Sequence, residues 1–175
     1  NWTLSASAAV PADGTDGIDD ATDALSVTPA AASKLVVTSE TTPMTAGGTA
    51  SVTITAYDAF DNLATTYGGA SLGEEKNLIF SGANSSTSPV TAPTATNNVG
   101  TPVAFGSETI CTFINGVSTS TLRLYKAEGV AIKVADDSFP AKATADTDDL
   151  EILVNGGAAS ALSWYTQPET KTVAN

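Results

Sequence analysis

Apolar and polar residues alternate along much of this chain, and a period of two is the signature of β-strands with one buried face. From Ser51 to Tyr57 the apolar residues occupy every second position and threonines lie between them. The same alternation recurs over 34–39, 109–113, 117–125, 130–134 and 150–154, and a short apolar run covers 78–80. No convincing helical stripe is present. The pattern predicts an all-β protein, an antiparallel β-sandwich.

Three connections between these strands are informative. Asn115-Gly116 is a strong signal for a tight hairpin between the strands at 109–113 and 117–125. Residues 58–62 predict a polar turn, since Asp and Asn side chains hydrogen-bond to nearby backbone. Residues 82–107 are rich in Ser, Thr, Pro, Asn and Gly, which predicts a long surface excursion.

An internal repeat divides the chain. Ala31-Ala32-Ser33-Lys34-Leu35 returns 127 residues later as Ala158-Ala159-Ser160-Ala161-Leu162, and the strands before each copy also match. One complete unit is therefore expected over 31–155. Residues 1–29 would be the terminal strands of a preceding unit, and residues 156–175 the first strand of the next.

Two kinds of partner are consistent with this register. The chain is either a window on a tandem array, so that its partners are adjacent repeats of the same polypeptide, or a subunit whose terminal strands are donated to other copies of itself. The array is favoured, because a terminal piece with two strands cannot rebuild a whole neighbouring sandwich.

Several motifs resemble a known family. They are Ala31–Leu35 at the domain start, Ala46–Thr49 before the second strand, Val52–Asn62 with its turn, Phe113–Val117, and Asn1–Ala6. These resemble the bacterial immunoglobulin-like tandem repeats of large extracellular adhesins and surface proteins, with an invasin- or intimin-like layout. Asp61 stands where the family's turn has glycine. The resemblance implies an immunoglobulin-like fold and a scaffold domain displayed on the cell surface.

Charge and composition exclude several functions. Seven basic and nineteen acidic residues give a net charge of −12, which argues against binding nucleic acid or anionic membranes. No segment approaches the roughly 18 apolar residues of a membrane span. The chain has no histidine, the commonest general base, and its one cysteine, Cys111, lies in an alternating run that predicts a buried thiol. We expect no enzymatic activity.

Clusters of acidic residues are the one pattern that predicts a ligand. Calcium takes six to eight oxygen ligands, which flexible loops rich in Asp and Asn can supply. The candidate ligands are Asp13, Asp16, Asp19, Asp20, Asp58, Asp61, Asn62, Asp146, Asp148 and Asp149. The alternative is a set of solvated acidic loops. Asn84, in Asn84-Ser85-Ser86, is a candidate glycosylation site, although such triplets are frequent by chance in a chain rich in Ser and Thr.

Two functions remain. The first is a structural unit of an extracellular filament, surface layer or adhesin stalk that joins its neighbours head to tail. The alternative is an adhesive or carbohydrate-binding module that uses the 82–107 loop. The alternative predicts exposed aromatic side chains in that loop, where the sequence has only Phe105. The structural function is therefore favoured.

Overall fold

The computed structural model describes residues 27–136, 143–144 and 148–159, together with the backbone of two short strands nearer the N-terminus. All regular secondary structure in these residues is β-strand, as the alternation predicts. In chain order the strands are β1 Leu4–Ser5, β2 Thr22–Asp23, β3 Lys34–Thr38, β4 Met44–Thr45, β5 Thr49–Tyr57, β6 Glu74–Ser81, β7 Thr94–Thr96, β8 Pro102–Ala104, β9 Glu108–Phe113, β10 Val117–Arg123, β11 Glu128–Asp136 and β12 Leu150–Asn155.

Ten of these strands form two five-stranded sheets. One has the order β3-β5-β10-β7-β8 and the other β4-β12-β11-β6-β9. Neighbours run antiparallel except for β12 and β4, which pair in parallel through Val154–Met44 and Asn155–Thr45. β1 and β2 pair with each other in a separate ladder. The predicted β-sandwich is confirmed, whereas the immunoglobulin-like assignment and the division into units at 1–29, 31–155 and 156–175 stay predictions.

The core lies between the inner faces of the two sheets. Burial alternates along β5, where Ala50, Val52, Ile54 and Ala56 are each almost fully buried. From the other sheet the largest buried side chains are Leu78, Phe80, Phe113, Ile132, Val134 and Ile152. Burying one such side chain contributes roughly 1.5–3 kcal/mol. Cys111 lies within this core with 1% of its surface exposed, which confirms the predicted buried thiol.

The prediction of a hairpin at Asn115-Gly116 is confirmed for the turn and wrong for the pairing of the two flanking strands. A tight turn is present, since Ile114 and Val117 form an isolated bridge and both central residues have positive φ, 50° and 82°. The flanking strands do not continue as a pair, however. β9 pairs with β6, whereas β10 pairs with β5 and β7, so the chain changes sheets at the turn. The buried faces of β9 and β10 therefore form opposite walls of the core.

The 82–107 segment is more ordered than the excursion that its composition predicts. It contains β7 and β8, which extend the first sheet beyond β10. Ala95 of β7 is fully buried, and the turn between the strands is fixed to the other sheet through Asn98, whose amide nitrogen donates to Glu75 at 2.8 Å. These strands could not be predicted from the sequence, because they are short and the surrounding prolines and hydroxyl residues are typical of loops.

The chain enters and leaves the sandwich at opposite ends. Lys34 at the start of β3 pairs with Tyr57 at the end of β5. Asn155 at the end of β12 pairs with Thr45, which lies four residues before the start of β5 at Thr49. We call the Tyr57 end of β5 the entry end and its Thr49 end the exit end. β5 has nine residues, so these two ends lie about 30 Å apart.

Candidate functional site

A buried carboxylate organises the turn at the entry end. Asp58 is 1% exposed, and its Oδ1 accepts hydrogen bonds from the backbone amides of Phe60 at 2.8 Å and Asn62 at 2.9 Å. Its Oδ2 accepts the amide of Ala30 at 2.9 Å, from the segment that leads into β3. The Asn62 side-chain amide lies within 3.3 Å of both oxygens. Asp58 therefore fixes both its own turn and the direction of the incoming chain, and we call this set of hydrogen bonds the Asp58 clamp.

These donors determine the charge state of Asp58. Burial by itself raises the pKa of a carboxyl group, because it disfavours the charged form. The hydrogen bonds from Asn62, Ala30 and Phe60 outweigh burial and lower the pKa of Asp58 to about 2. The side chain is thus ionised at any physiological pH, as an acceptor of three backbone N–H groups must be.

Lys34 joins the turn to the connection before β12. Its ammonium lies 2.7 Å from Oδ1 of Asp61 and 3.5 Å from Oδ2 of Asp148. The hydrogen bond to Asp61, and then the charge of Asp148, raise the pKa of Lys34 against the opposing effect of burial. Two acid clusters that are far apart in the sequence thus meet around one lysine at the entry end.

The predicted calcium ligands have other partners where the structure describes them. Asp58 accepts N–H groups, Asp61 and Asp148 share Lys34, and Oδ2 of Asp149 lies 3.0 Å from the ammonium of Lys133. Within the described ranges no group of three carboxylate, histidine or cysteine side chains converges as metal ligands would. The candidates that lie outside those ranges are Asp13, Asp16, Asp19, Asp20 and Asp146. Calcium binding stays a prediction, which a comparison of melting temperatures with calcium and with a chelator tests.

Exposed apolar side chains lie at the entry end, as Asp58 does. Phe60 and Leu63 lie in the connection after β5, Leu72 in the turn before β6, and Ile114 in the turn between β9 and β10, all at the entry end. Their exposed fractions are 77%, 37%, 95% and 45%. We call these four residues the entry-end patch. Exposed apolar side chains grouped in this way are a common feature of protein interaction surfaces.

Two further sequence predictions fall on the 82–107 loop and its surroundings. Asn84 is exposed, as a glycan would require, but its side-chain amide already donates to Glu128 at 3.0 Å. Glycosylation of Asn84 stays a prediction. Phe105 is half-buried and packs against Phe80, with ring centroids 5.9 Å apart. The one aromatic side chain of the loop therefore packs against the core.

Comparison with known proteins leaves the family open. No family model matches the chain, and no curated protein matches it. The fold is similar to that of a conjugative transposon lipoprotein from Bacteroides eggerthii, with 9% identity over 67% of this chain and 95% of that one at a TM-score of 0.39. It is also similar to part of a glycosyl hydrolase family 2 member from Bacteroides cellulosilyticus, with 17% identity over 73% of this chain and 16% of that one at a TM-score of 0.40. Similarities this distant identify no activity.

The described residues contain no helix that is long and apolar enough to cross a membrane.

Proposed function

We propose that this chain is a non-catalytic structural unit of an extracellular, cell-surface filament, surface layer or adhesin stalk, in which sandwich domains join head to tail. The observation that carries the proposal is the hydrogen bond from the Ala30 amide to the buried carboxylate of Asp58. This bond stabilises the fold and also fixes the direction in which the incoming linker reaches the domain. A fixed direction relative to the preceding domain is what a head-to-tail array requires.

The route of the chain supports the same arrangement. Entry at the Tyr57 end of β5 and exit at the Thr49 end place the two linkers about 30 Å apart along the strand direction. At the exit end the Ala46 amide donates to the Asn155 carbonyl at 2.8 Å, and Gly47 donates to Leu124 at 2.7 Å. Both linkers therefore leave from hydrogen-bonded positions, and units joined through them would extend in one direction.

The entry-end patch lies where the proposed head-to-tail arrangement requires a contact surface. Ala30, in the segment that leads into β3, lies at the same end, so a preceding unit joined through this segment would lie next to Phe60 and Leu72. Burial of apolar surface there would stabilise the junction by about 25 cal/mol for each Å² removed from water. The proposed occupant of the patch is the exit end of the preceding unit.

Relative orientation within a two-unit chain tests the proposal. The repeat register allows residues 1–157 to be followed directly by residues 31–175, and nitroxide labels can be placed on a cysteine introduced at the exposed Thr119 of each unit, since Cys111 is buried. Electron–electron double resonance should then give one narrow distance distribution. Asp58→Ala in the second unit should broaden it, and Phe60→Ser combined with Leu72→Ser should do the same.

The matched control is Glu40→Ala in the second unit, which removes an exposed carboxylate that follows β3 on the side away from the entry end. It should leave the distribution narrow. A broad distribution in the unmodified two-unit chain, or one that none of the entry-end substitutions changes, would overturn the head-to-tail proposal.

A further inference from the structure

Arg123 is the one cationic side chain in the described ranges that has no acidic partner. Lys34, Lys76, Lys126 and Lys133 each lie within 3.0 Å of a carboxylate oxygen. Arg123, the only arginine of the sequence, forms no ion pair or hydrogen bond with any described residue, although the chain has nineteen acidic residues. A guanidinium left free in so acidic a protein is available to an anion from outside the chain.

The register of the first sheet places Arg123 among hydroxyl groups. Arg123 is the last residue of β10, and it pairs with Thr49 of β5 on one side and Thr94 of β7 on the other. One row further along the outer face, Thr121 pairs with Ser51 and follows the same alternation. Threonines occupy the outward positions because their branched side chains favour strands and their hydroxyls tolerate water. Around Arg123 the outer face is therefore a polar surface with one positive charge.

This surface is recessed. A groove of about 250 Å³ lies on it, lined by Thr49, Thr94, Thr96, Thr121, Arg123 and Tyr125, with the β7–β8 turn as one wall. Oγ1 of Thr96 accepts the Thr121 amide at 2.9 Å, which fixes the floor of the groove. The hydroxyls of Thr49, Thr94 and Thr121 form no hydrogen bond with another described residue. They are free to bind a ligand together with the guanidinium.

We propose that this groove binds an acidic saccharide, a sugar ring that carries a carboxylate. The planar guanidinium of Arg123 offers two parallel N–H groups to a carboxylate, the geometry in which arginine binds most strongly. The threonine hydroxyls can both donate to and accept from ring hydroxyls, and the ring of Tyr125 offers an apolar face next to them. The groove is smaller than a typical pocket for a drug-sized ligand and suits one or two sugar rings.

The chemistry of the groove favours a sugar over an acidic peptide. Peptides that bind sheets usually add to an exposed edge, where backbone N–H and C=O groups are unpaired. The groove lies on the face of the sheet between paired strands, so its polar side-chain groups are hydroxyls, one guanidinium and one phenol. Gly100 and Pro102, at the β7–β8 turn, complete its lining.

A second depression on the same face provides a contrast. It has a volume of about 410 Å³ and is lined by Thr38, Ser39, Glu40, Thr41, Ser51 and Thr53. It is also rich in hydroxyls, but its charged residue is a glutamate, which would repel a carboxylate. The proposed ligand should therefore occupy the Arg123 groove and leave the Glu40 depression unchanged.

Titration of the full ¹⁵N-labelled chain, followed by NMR, tests the site. The probes are tetragalacturonate, a hyaluronan tetrasaccharide and sialyllactose, and fully methyl-esterified tetragalacturonate is the uncharged counterpart of the first. At least one acidic probe should shift the amide signals of Thr94, Thr121 and Arg123, whereas the ester should not. Arg123→Gln should weaken binding of that probe roughly 10- to 100-fold, and Arg123→Lys should restore only part of the loss.

The control variant is Lys126→Gln, which removes a neighbouring cation that is already paired with Glu128 and should leave the affinity within about twofold. The absence of an Arg123-dependent shift with all three acidic probes would overturn the proposal. So would equal binding of the methyl ester, or binding of a tetraglutamate peptide as tight as that of the sugar. The site does not depend on the proposed head-to-tail function, because one unit contains the whole groove.

Discussion

The hydroxyl of Tyr67 donates a hydrogen bond of 2.6 Å to Oδ2 of Asp136, and both side chains are buried. Tyr67 lies in the connection between β5 and β6, Asp136 ends β11, and the tyrosine ring also packs edge-on against Phe113 with centroids 4.9 Å apart. Burial, and then the Asp136 carboxylate, raise the pKa of Tyr67, so that it remains a hydrogen-bond donor at high pH. The bond joins a loop of the entry end to the core.

Removing this hydroxyl should destabilise the fold. Tyr67→Phe keeps the ring but leaves a buried carboxylate with one donor fewer, which should lower the free energy of unfolding by roughly 1–3 kcal/mol in urea denaturation. Tyr57→Phe is the matched control, since the Tyr57 hydroxyl forms no hydrogen bond with a described residue, and it should change stability little. Equal effects of the two substitutions would contradict a structural role for the Tyr67 hydroxyl.

The Asp58 clamp predicts a pH dependence of stability. The pKa of Asp58 in the folded chain, about 2, lies below its ordinary value of 3.8, so the ionised side chain stabilises the fold above about pH 4. That contribution decreases as the pH falls from about 4 to 2, where the folded state must also take up the proton. Asp58→Asn should show a lower urea midpoint at neutral pH and a smaller loss between pH 4 and 2.

For each protein the free energy of unfolding is measured in urea as a function of pH. The difference between the two pH profiles is the informative quantity, because the other carboxyl groups are present in both proteins. Asp61→Asn is the control, since this exposed side chain binds Lys34 and accepts no backbone amide of the incoming segment. Its profile should differ from that of the unmodified chain less than the Asp58→Asn profile does. A profile for Asp58→Asn that is parallel to that of the unmodified chain would show that the clamp contributes nothing.

The backbone conformation at Asp61 predicts how its replacement by glycine changes stability. Its φ of 63° lies in the left-handed region, which costs a residue with a Cβ about 1 kcal/mol relative to glycine. Asp61→Gly should therefore be more stable than Asp61→Ala by about 1 kcal/mol in urea denaturation. Both substitutions remove the ion pair with Lys34, so its loss cancels in the comparison. A less stable glycine variant would show that the turn adopts another backbone conformation in solution.

The thiol of Cys111 should be inert in the folded chain. Burial raises its pKa to about 11 and also keeps reagents away from the sulfur. The raised pKa and the lack of access both oppose reaction through a thiolate. A thiol reagent at pH 8 should modify the native protein only at the rate of unfolding and should modify it fully in concentrated urea. Rapid labelling of the native chain, or a disulfide-linked dimer, would contradict this prediction.

Period two predicted most of the long strands, because β3, β5, β11 and β12 each bury alternate apolar residues. Burial alternates along β10 as well, but two of its three buried residues are Ser118 and Ser120. The partners of those strands were harder to predict. The Asn115-Gly116 signal is local and specifies a turn, but which sheet each strand joins depends on contacts with β5 and β6, which lie far away in the sequence. β7 and β8 escaped prediction because three residues with one buried Ala95 carry almost no periodic signal.

The sequence singles out Asp58 and Asp61 but does not show which groups they contact. The calcium hypothesis takes both as metal ligands and stays a prediction. In the fold the donor for Oδ2 of Asp58 is the amide of Ala30, 28 residues away, and any residue type except proline could supply it. No pattern in the sequence predicted the Arg123 groove, because its threonines come from three strands that only the fold brings together.

The placement of the two linkers at opposite ends of β5 has a mechanical consequence. A pull on the ends of the sandwich acts along the strands, in the direction that shears the β3–β5 ladder, since the hydrogen bonds of an antiparallel pair lie perpendicular to the strands. Under such a load all the bonds of the ladder must break together, whereas a pull from one end would open them one at a time. The first contact to bear the tension is the bond between Ala30 and Asp58, which lies ahead of the ladder.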